Sequence, residues 1–99
     1  MLTRDEVLQY LTDNKTGFRE QFGIRKIGLF GSYARGEQTD QSDIDILIEM
    51  AADTEDIFGK RLELHELLVK RFNKNVDICH AQAIRPVFRT LILKDALYA

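Results

Sequence analysis

Cysteine and proline each occur once in this 99-residue chain, and tryptophan is absent. A single cysteine, Cys79, excludes an intramolecular disulfide and any metal site built from several thiolates, and it fits a reducing compartment. Its expected place is inside, as a small apolar residue. No uncharged stretch approaches the roughly 20 residues that span a bilayer, and Met1 to Glu6 lack the basic-then-apolar pattern of a signal peptide. The expected location is the cytoplasm, with no membrane partner. No charge of one sign dominates: 14 basic against 16 acidic residues leave a formal charge of -2, which removes any bulk attraction to a nucleic-acid backbone. Direct nucleic-acid binding is not expected.

What is present describes one folded domain over residues 1–99, with 44% hydrophobic and 30% charged residues and neither repeat nor linker. A chain of this length has room for one core but not for a separate acceptor-binding domain, so an acceptor site is expected to be shallow or shared. Thr3 and Glu6 have the spacing of a capping box, with Val7, Leu8 and Leu11 following at helical intervals. Gly17 interrupts the pattern and Gly23 ends it, predicting one broken helix or two short ones. Ile24 to Phe30 reads as a strand with Ile27 and Leu29 on one face. Gly31 to Glu37 reads as a tight turn into a short helix, with Ser32 as a possible cap, and a polar loop runs to Ser42.

The second predicted strand alternates, Ile44, Ile46 and Ile48 on one face and Asp43, Asp45, Leu47 and Glu49 on the other. Glu55 to Phe72 follows as an amphipathic helix with Phe58, Leu62, Val69 and Phe72 on its stripe, widened by Leu64, Leu67 and Leu68. Val76 to Cys79 forms a third strand, in which Asp77 faces away from Val76 and Ile78. Pro86 opens a last helix with Val87, Phe88, Leu91 and Ile92 as its apolar stripe. The expected fold class is α/β (α+β): a small mixed three-stranded sheet flanked by helices, in the order α-β-α-β-α-β-α.

Two carboxylates two residues apart on a strand, Asp43 and Asp45, lie on one face roughly 6.5 to 7 Å apart and suit hard, oxygen-seeking Mg²⁺. Such pairs serve two-metal centres that clamp both oxygens of an in-line phosphoryl displacement. Upstream, Gly31-Ser32 opens a helix whose backbone N–H groups and hydroxyl suit triphosphate oxygens. Either half alone is common. Together, as Gly-Ser, ten residues, Asp-x-Asp, they should arise by chance in on the order of one such chain in a thousand.

Gly28-Leu29-Phe30-Gly31-Ser32-Tyr33-Ala34-Arg35-Gly36-Glu37, followed by Ser42-Asp43-Ile44-Asp45-Ile46-Leu47, resembles the signature of the DNA polymerase beta-like nucleotidyltransferase superfamily. The likeness is to its minimal branch, the MNT proteins, and extends through Val76-Asp77-Ile78 to a closing helix spanning Ile84-Arg85-Pro86 through Leu97-Tyr98. The resemblance implies that Gly31 and Ser32 contact phosphate, that Asp43 and Asp45 are the pair binding Mg²⁺, two ions in all, and that Asp77 is a third carboxylate that helps bind the catalytic metal and assists the acceptor hydroxyl. It further implies ATP as substrate and, as partner, a helical HEPN-domain ribonuclease toxin whose tyrosine receives AMP, making this chain an antitoxin. Transfer to a small hydroxylated molecule, and non-catalytic occlusion of the partner, are the alternative expectations.

Arg35, one turn beyond Ser32, could reach a triphosphate or pair with Glu37. Tyr33 is expected to pack rather than to stack on a base. His65 and His80 are expected to be structural or exposed, and Arg85 and Arg89 to line a solvated helix face.

Overall fold

The computed structural model describes residues 2–99. Helix α1 (Arg4–Asp13) is capped by Thr3, whose hydroxyl oxygen accepts from the Glu6 amide at 3.2 Å. Helix α2 (Lys15–Phe22) follows directly, so the first helical region is two helices. The break falls at Asn14 rather than at Gly17, which lies inside α2 with open space where a side chain would go. Gly23 ends α2 in the left-handed conformation, as its position suggested.

Strand β1 (Ile24–Phe30), the one-turn helix α3 (Gly31–Arg35), strand β2 (Ile44–Met50) and helix α4 (Ile57–Phe72) come next. Strand β3 (Val76–His80), a 3₁₀ turn (Ala81–Ala83), helix α5 (Pro86–Asp95) and strand β4 (Leu97–Tyr98) complete the chain. The sheet order is β3-β2-β1-β4, parallel between β2 and β3 and antiparallel elsewhere. The mixed sheet and flanking helices match expectation, but there is a fourth strand, and the closing helix stops at Asp95 instead of running through Leu97 and Tyr98.

Gly28 explains that fourth strand. Leu97 and Tyr98 lie along β1 opposite Leu29 and Gly28, and a Cβ at Gly28 would stand 2.8 Å from the Leu97 carbonyl oxygen. Only a residue without a side chain lets the chain return so closely. Gly28→Ala is therefore expected to dislodge β4 at a cost of about 1 kcal/mol while leaving the remaining sheet intact. Amide exchange at Ala99, whose N–H donates to Ile27 at 2.9 Å, measures this: protection is lost in the variant.

Ile27, Leu29, Ile44, Ile46 and Ile48 meet Val7, Leu11, Phe22, Leu64 and Leu68 in one core on a single face of the sheet. In α4 the buried ridge is Leu64, Leu68 and Phe72, whereas Phe58 and Leu62 at its start are 77% and 50% exposed. They line a groove with His65, Val76 and Asp77 beside β3 instead. The stripe on α5 likewise covers little: Val87, Phe88 and Leu91 are exposed, and no α5 residue is fully buried. The main contacts of that helix are with α3 and β1. Among the described residues no helix is long and apolar enough to cross a membrane.

Candidate active site

The sheet face opposite the core carries the carboxylates. Asp45 in β2 pairs in register with Phe30 of β1 on one side and with Asp77 of β3 on the other. Adjacent strands lie about 4.8 Å apart, so Asp45 and Asp77 project side by side from neighbouring strands. Parallel pairing of β2 with β3 produces this, and alternation keeps their neighbours Ile44, Ile46, Val76 and Ile78 in the core. Asp43 is exposed and precedes β2 by one residue, at the mouth of the same face.

Gly31 begins α3 where β1 ends, with φ +73, a conformation that favours glycine. A Cβ there would run into the Asp45 carboxylate, so the missing side chain is what seats Asp45 against the turn. Ser32 is the second residue of α3 and not its cap, since Phe30 holds the cap position without a side-chain bond. Among the described residues the Ser32 hydroxyl makes no hydrogen bond, while its carbonyl accepts from Glu37 N–H at 2.9 Å.

Burial raises the Asp45 pKa above the ordinary aspartate value, the charges of Asp77 and Asp43 raise it further, and Arg35 offsets part of the rise. Three acidic groups thus share one anionic face, an environment a divalent cation relieves. Among the described residues no three acidic, histidine or cysteine side chains close into a ligand cage, so the carboxylates share a face without being folded onto one point. The all-oxygen donor set fits Mg²⁺.

Gly31→Ala combines a left-handed backbone strain of about 1–2 kcal/mol with a collision that displaces Asp45. The transfer activity that the sequence resemblance implies is expected to fall at least about tenfold while the protein still folds, measured as initial rate against circular dichroism melting.

Arg35 is exposed and engaged, its Nε donating to Glu37 at 3.0 Å and its Nη1 to Asp95 at 3.3 Å, which ties α3 to the end of α5. The salt-bridge expectation is met, and Nη2 has no partner among the described residues. Tyr33 is fully buried, so it packs rather than presenting a ring to a base, and its hydroxyl lacks a partner. His80 has a buried Nε2 without a partner. Arg85, the residue before α5, and Arg89 on it are exposed, as a solvated face requires.

Three side chains at or beside this face depart from the expectation or add to it. Cys79 is partly rather than fully buried, because alternation places it on the Asp77 side of β3; burial raises its thiol pKa, with Asp77 adding to the effect. Leu47 is fully buried on the carboxylate face, outside the main core, where β2 meets the Ala81–Ala83 turn. Arg61 of α4 donates from Nη2 to the Ile78 carbonyl at 2.8 Å, and one turn later His65 Nε2 meets the Val76 carbonyl at 2.8 Å. His65 is structural, as expected; for Arg61, the i, i+4 spacing with His65 was the available signal.

Residues 13–99 match the sequence profile of the nucleotidyltransferase domain. The protein adenylyltransferase MntA of Thermococcus cleftensis is 38% identical over 100 residues, an alignment covering 99% of this chain and 97% of that protein. A crystal structure of a toxin–antitoxin with AMP-PNP contains a chain of similar fold, with TM-score 0.68 and 29% identity over 98% of this chain and 72% of that one. A tri-AMPylated Shewanella oneidensis HEPN toxin in complex with MNT antitoxin gives TM-score 0.58 and 25% identity over 96% of this chain and 66% of that one.

Proposed function

The chain belongs to the nucleotidyltransferase domain family, and from that premise we propose that it is a protein adenylyltransferase of the MntA type, moving AMP from ATP to a hydroxyl of a HEPN-type toxin and so acting as antitoxin. The observation that carries this reading is the row of carboxylates on one sheet face, Asp45 beside Asp77, with Asp45 seated against a turn where Gly31 has a positive φ and no side chain in the way. MntA is named for protein adenylyl transfer, and the Shewanella complex pairs an MNT antitoxin with an AMPylated HEPN toxin. The AMP-PNP complex of a similar chain supports ATP as the donor. ATP and a toxin target both belong to the cytoplasm.

Asp43, Asp45 and Asp77 would hold Mg²⁺, two ions in the fullest case, which when bound neutralises the triphosphate and lowers the pKa of an oxygen nucleophile. Backbone N–H groups of α3 and the free Ser32 hydroxyl face phosphate oxygens, and Arg35 contributes its unengaged Nη2. Asp77, exposed at the open edge of the sheet, takes the proton of the incoming hydroxyl, for which a toxin tyrosine is the candidate. The phenolate oxygen attacks the α-phosphorus, the bond from that phosphorus to the bridging oxygen breaks, and pyrophosphate leaves.

Incubating the purified chain with MgATP and a HEPN-type toxin, then weighing both chains intact, tests this. The partner is expected to gain the mass of one or more AMP groups and this chain none. A stable complex with unchanged masses would favour occlusion, and AMP appearing on an added small alcohol instead would favour a small-molecule acceptor.

A further inference from the structure

β3 is the outermost strand on its side of the sheet, so one edge of its backbone has no strand to pair with. It is also the strand that carries Asp77, and it is only five residues long. An edge strand this short is held in place on that side only by what side chains provide.

The two carbonyls flanking Asp77 are both occupied from α4. Arg61 Nη2 donates to Ile78 and His65 Nε2 to Val76, each at 2.8 Å. A carbonyl can only accept, so the His65 Nε2 carries its hydrogen. The pitches match: four residues of helix rise about 6 Å, and two residues of strand advance about 6.6 Å. α4 runs antiparallel to β3, so the earlier helical residue meets the later strand residue. The contact is a two-point clamp on the Val76–Asp77 and Ile78–Cys79 peptide units, which bracket Asp77, and with β2 in register on the opposite edge it leaves Asp77 little freedom to move along or away from the sheet.

We infer that Arg61 and His65 are positioning residues for the transfer step, fixing Asp77 in register with Asp45 through the Ile78 and Val76 carbonyls. This rests on the adenylyl-transfer reading and on Asp77 acting in it. The clamp bears on Asp77 alone, because Ser32, Asp43 and Asp45 belong to α3, the loop before β2, and β2. Losing it should therefore slow transfer without weakening nucleotide binding, a split that a general loss of stability would not produce.

The test compares Arg61→Ala/His65→Ala with the donor-retaining pair Arg61→Lys/His65→Gln, using MgATP titration calorimetry, kcat for AMP transfer to the HEPN-type partner, and thermal melting. For the alanine pair kcat should fall at least about tenfold with ATP affinity within about twofold of wild type, and the donor-retaining pair should recover to within about threefold. Wild-type kcat in the alanine pair overturns the inference, as does a loss of ATP affinity that matches the loss of rate. Should the alanine pair not fold, Arg61→Ala alone, at an exposed residue, decides: it must lower kcat and Arg61→Lys must restore it, and equal rates overturn the inference. Asp77→Asn, run alongside, separates the premises. An inactive Asp77→Asn with a fully active clamp variant removes the clamp only, whereas an active Asp77→Asn removes the role of Asp77 and the clamp with it.

Discussion

Replacing Asp43 and Asp45 together with asparagine is expected to abolish nucleotide transfer, a loss of at least about 10³-fold, while the protein folds as before. Asparagine keeps the shape and hydrogen-bonding reach of each side chain but removes the two charges that would hold the metal nearest the triphosphate. Folding should not suffer, for an electrostatic reason. Asp45 holds its proton more readily in the fold than in the unfolded chain, because burial and the charges of Asp77 and Asp43 disfavour ionisation. A carboxyl whose pKa is raised by folding contributes stability below its unfolded pKa and loses that contribution as pH climbs through its folded pKa. At neutral pH in chelator, the ionised form thus costs stability, and asparagine removes the cost. The double variant should melt at or above the wild-type temperature without Mg²⁺ and lose the Mg²⁺-dependent rise. A variant that fails to fold would assign the pair a structural role, and retained transfer would rule out the metal assignment.

Asp77→Asn should act differently, depressing transfer far more than ATP binding. A phenol with a pKa near 10 is only about 0.1% ionised at neutral pH, so the attacking hydroxyl needs help that the unassisted solution does not give. Asp77 stands beside Asp45 but on the outer strand, on the side open to an incoming chain, and the nucleotide-holding groups Ser32, Asp43 and Asp45 do not depend on it. Calorimetry with MgATP should give an affinity within about threefold of wild type, and intact-mass kinetics on the partner a rate lower by about 10² or more. Transfer at the wild-type rate would take Asp77 out of the mechanism.

Period-two alternation in Ile44–Met50 and Val76–His80 was enough to separate core from carboxylate face, because a strand buried on one side leaves its side chains no other register. The capping pair at Thr3 and Glu6 and the left-handed stop at Gly23 are local chemistry, and they were equally readable. What was hidden depends on contacts between distant segments. β4 exists because Gly28, about seventy residues earlier, leaves space for Leu97 and Tyr98; nothing within Leu97-Tyr98 itself marks a strand. Phe58, Leu62, Val87 and Phe88 follow helical periodicity yet stay exposed, since periodicity identifies an apolar face but not whether another element covers it. The role of Gly31 was half-legible: its place before Ser32 suggested close backbone approach, but only the folded chain brings the Asp45 carboxylate into the space its Cβ would fill. Cys79 was misplaced because the burial habit of cysteine was weighed above its register on the strand.

The most direct measurement of the central claim is a pair of parallel reactions with the HEPN-type partner, one containing ATP radiolabelled at the α-phosphate and the other ATP labelled at the γ-phosphate. Adenylyl transfer predicts Mg²⁺-dependent label on the partner from the α-labelled nucleotide only, with the γ-label released as pyrophosphate and with no label transferred by the Asp43→Asn/Asp45→Asn protein. Label on the partner from the γ-phosphate, or α-label transferred equally well by the double variant, would contradict it.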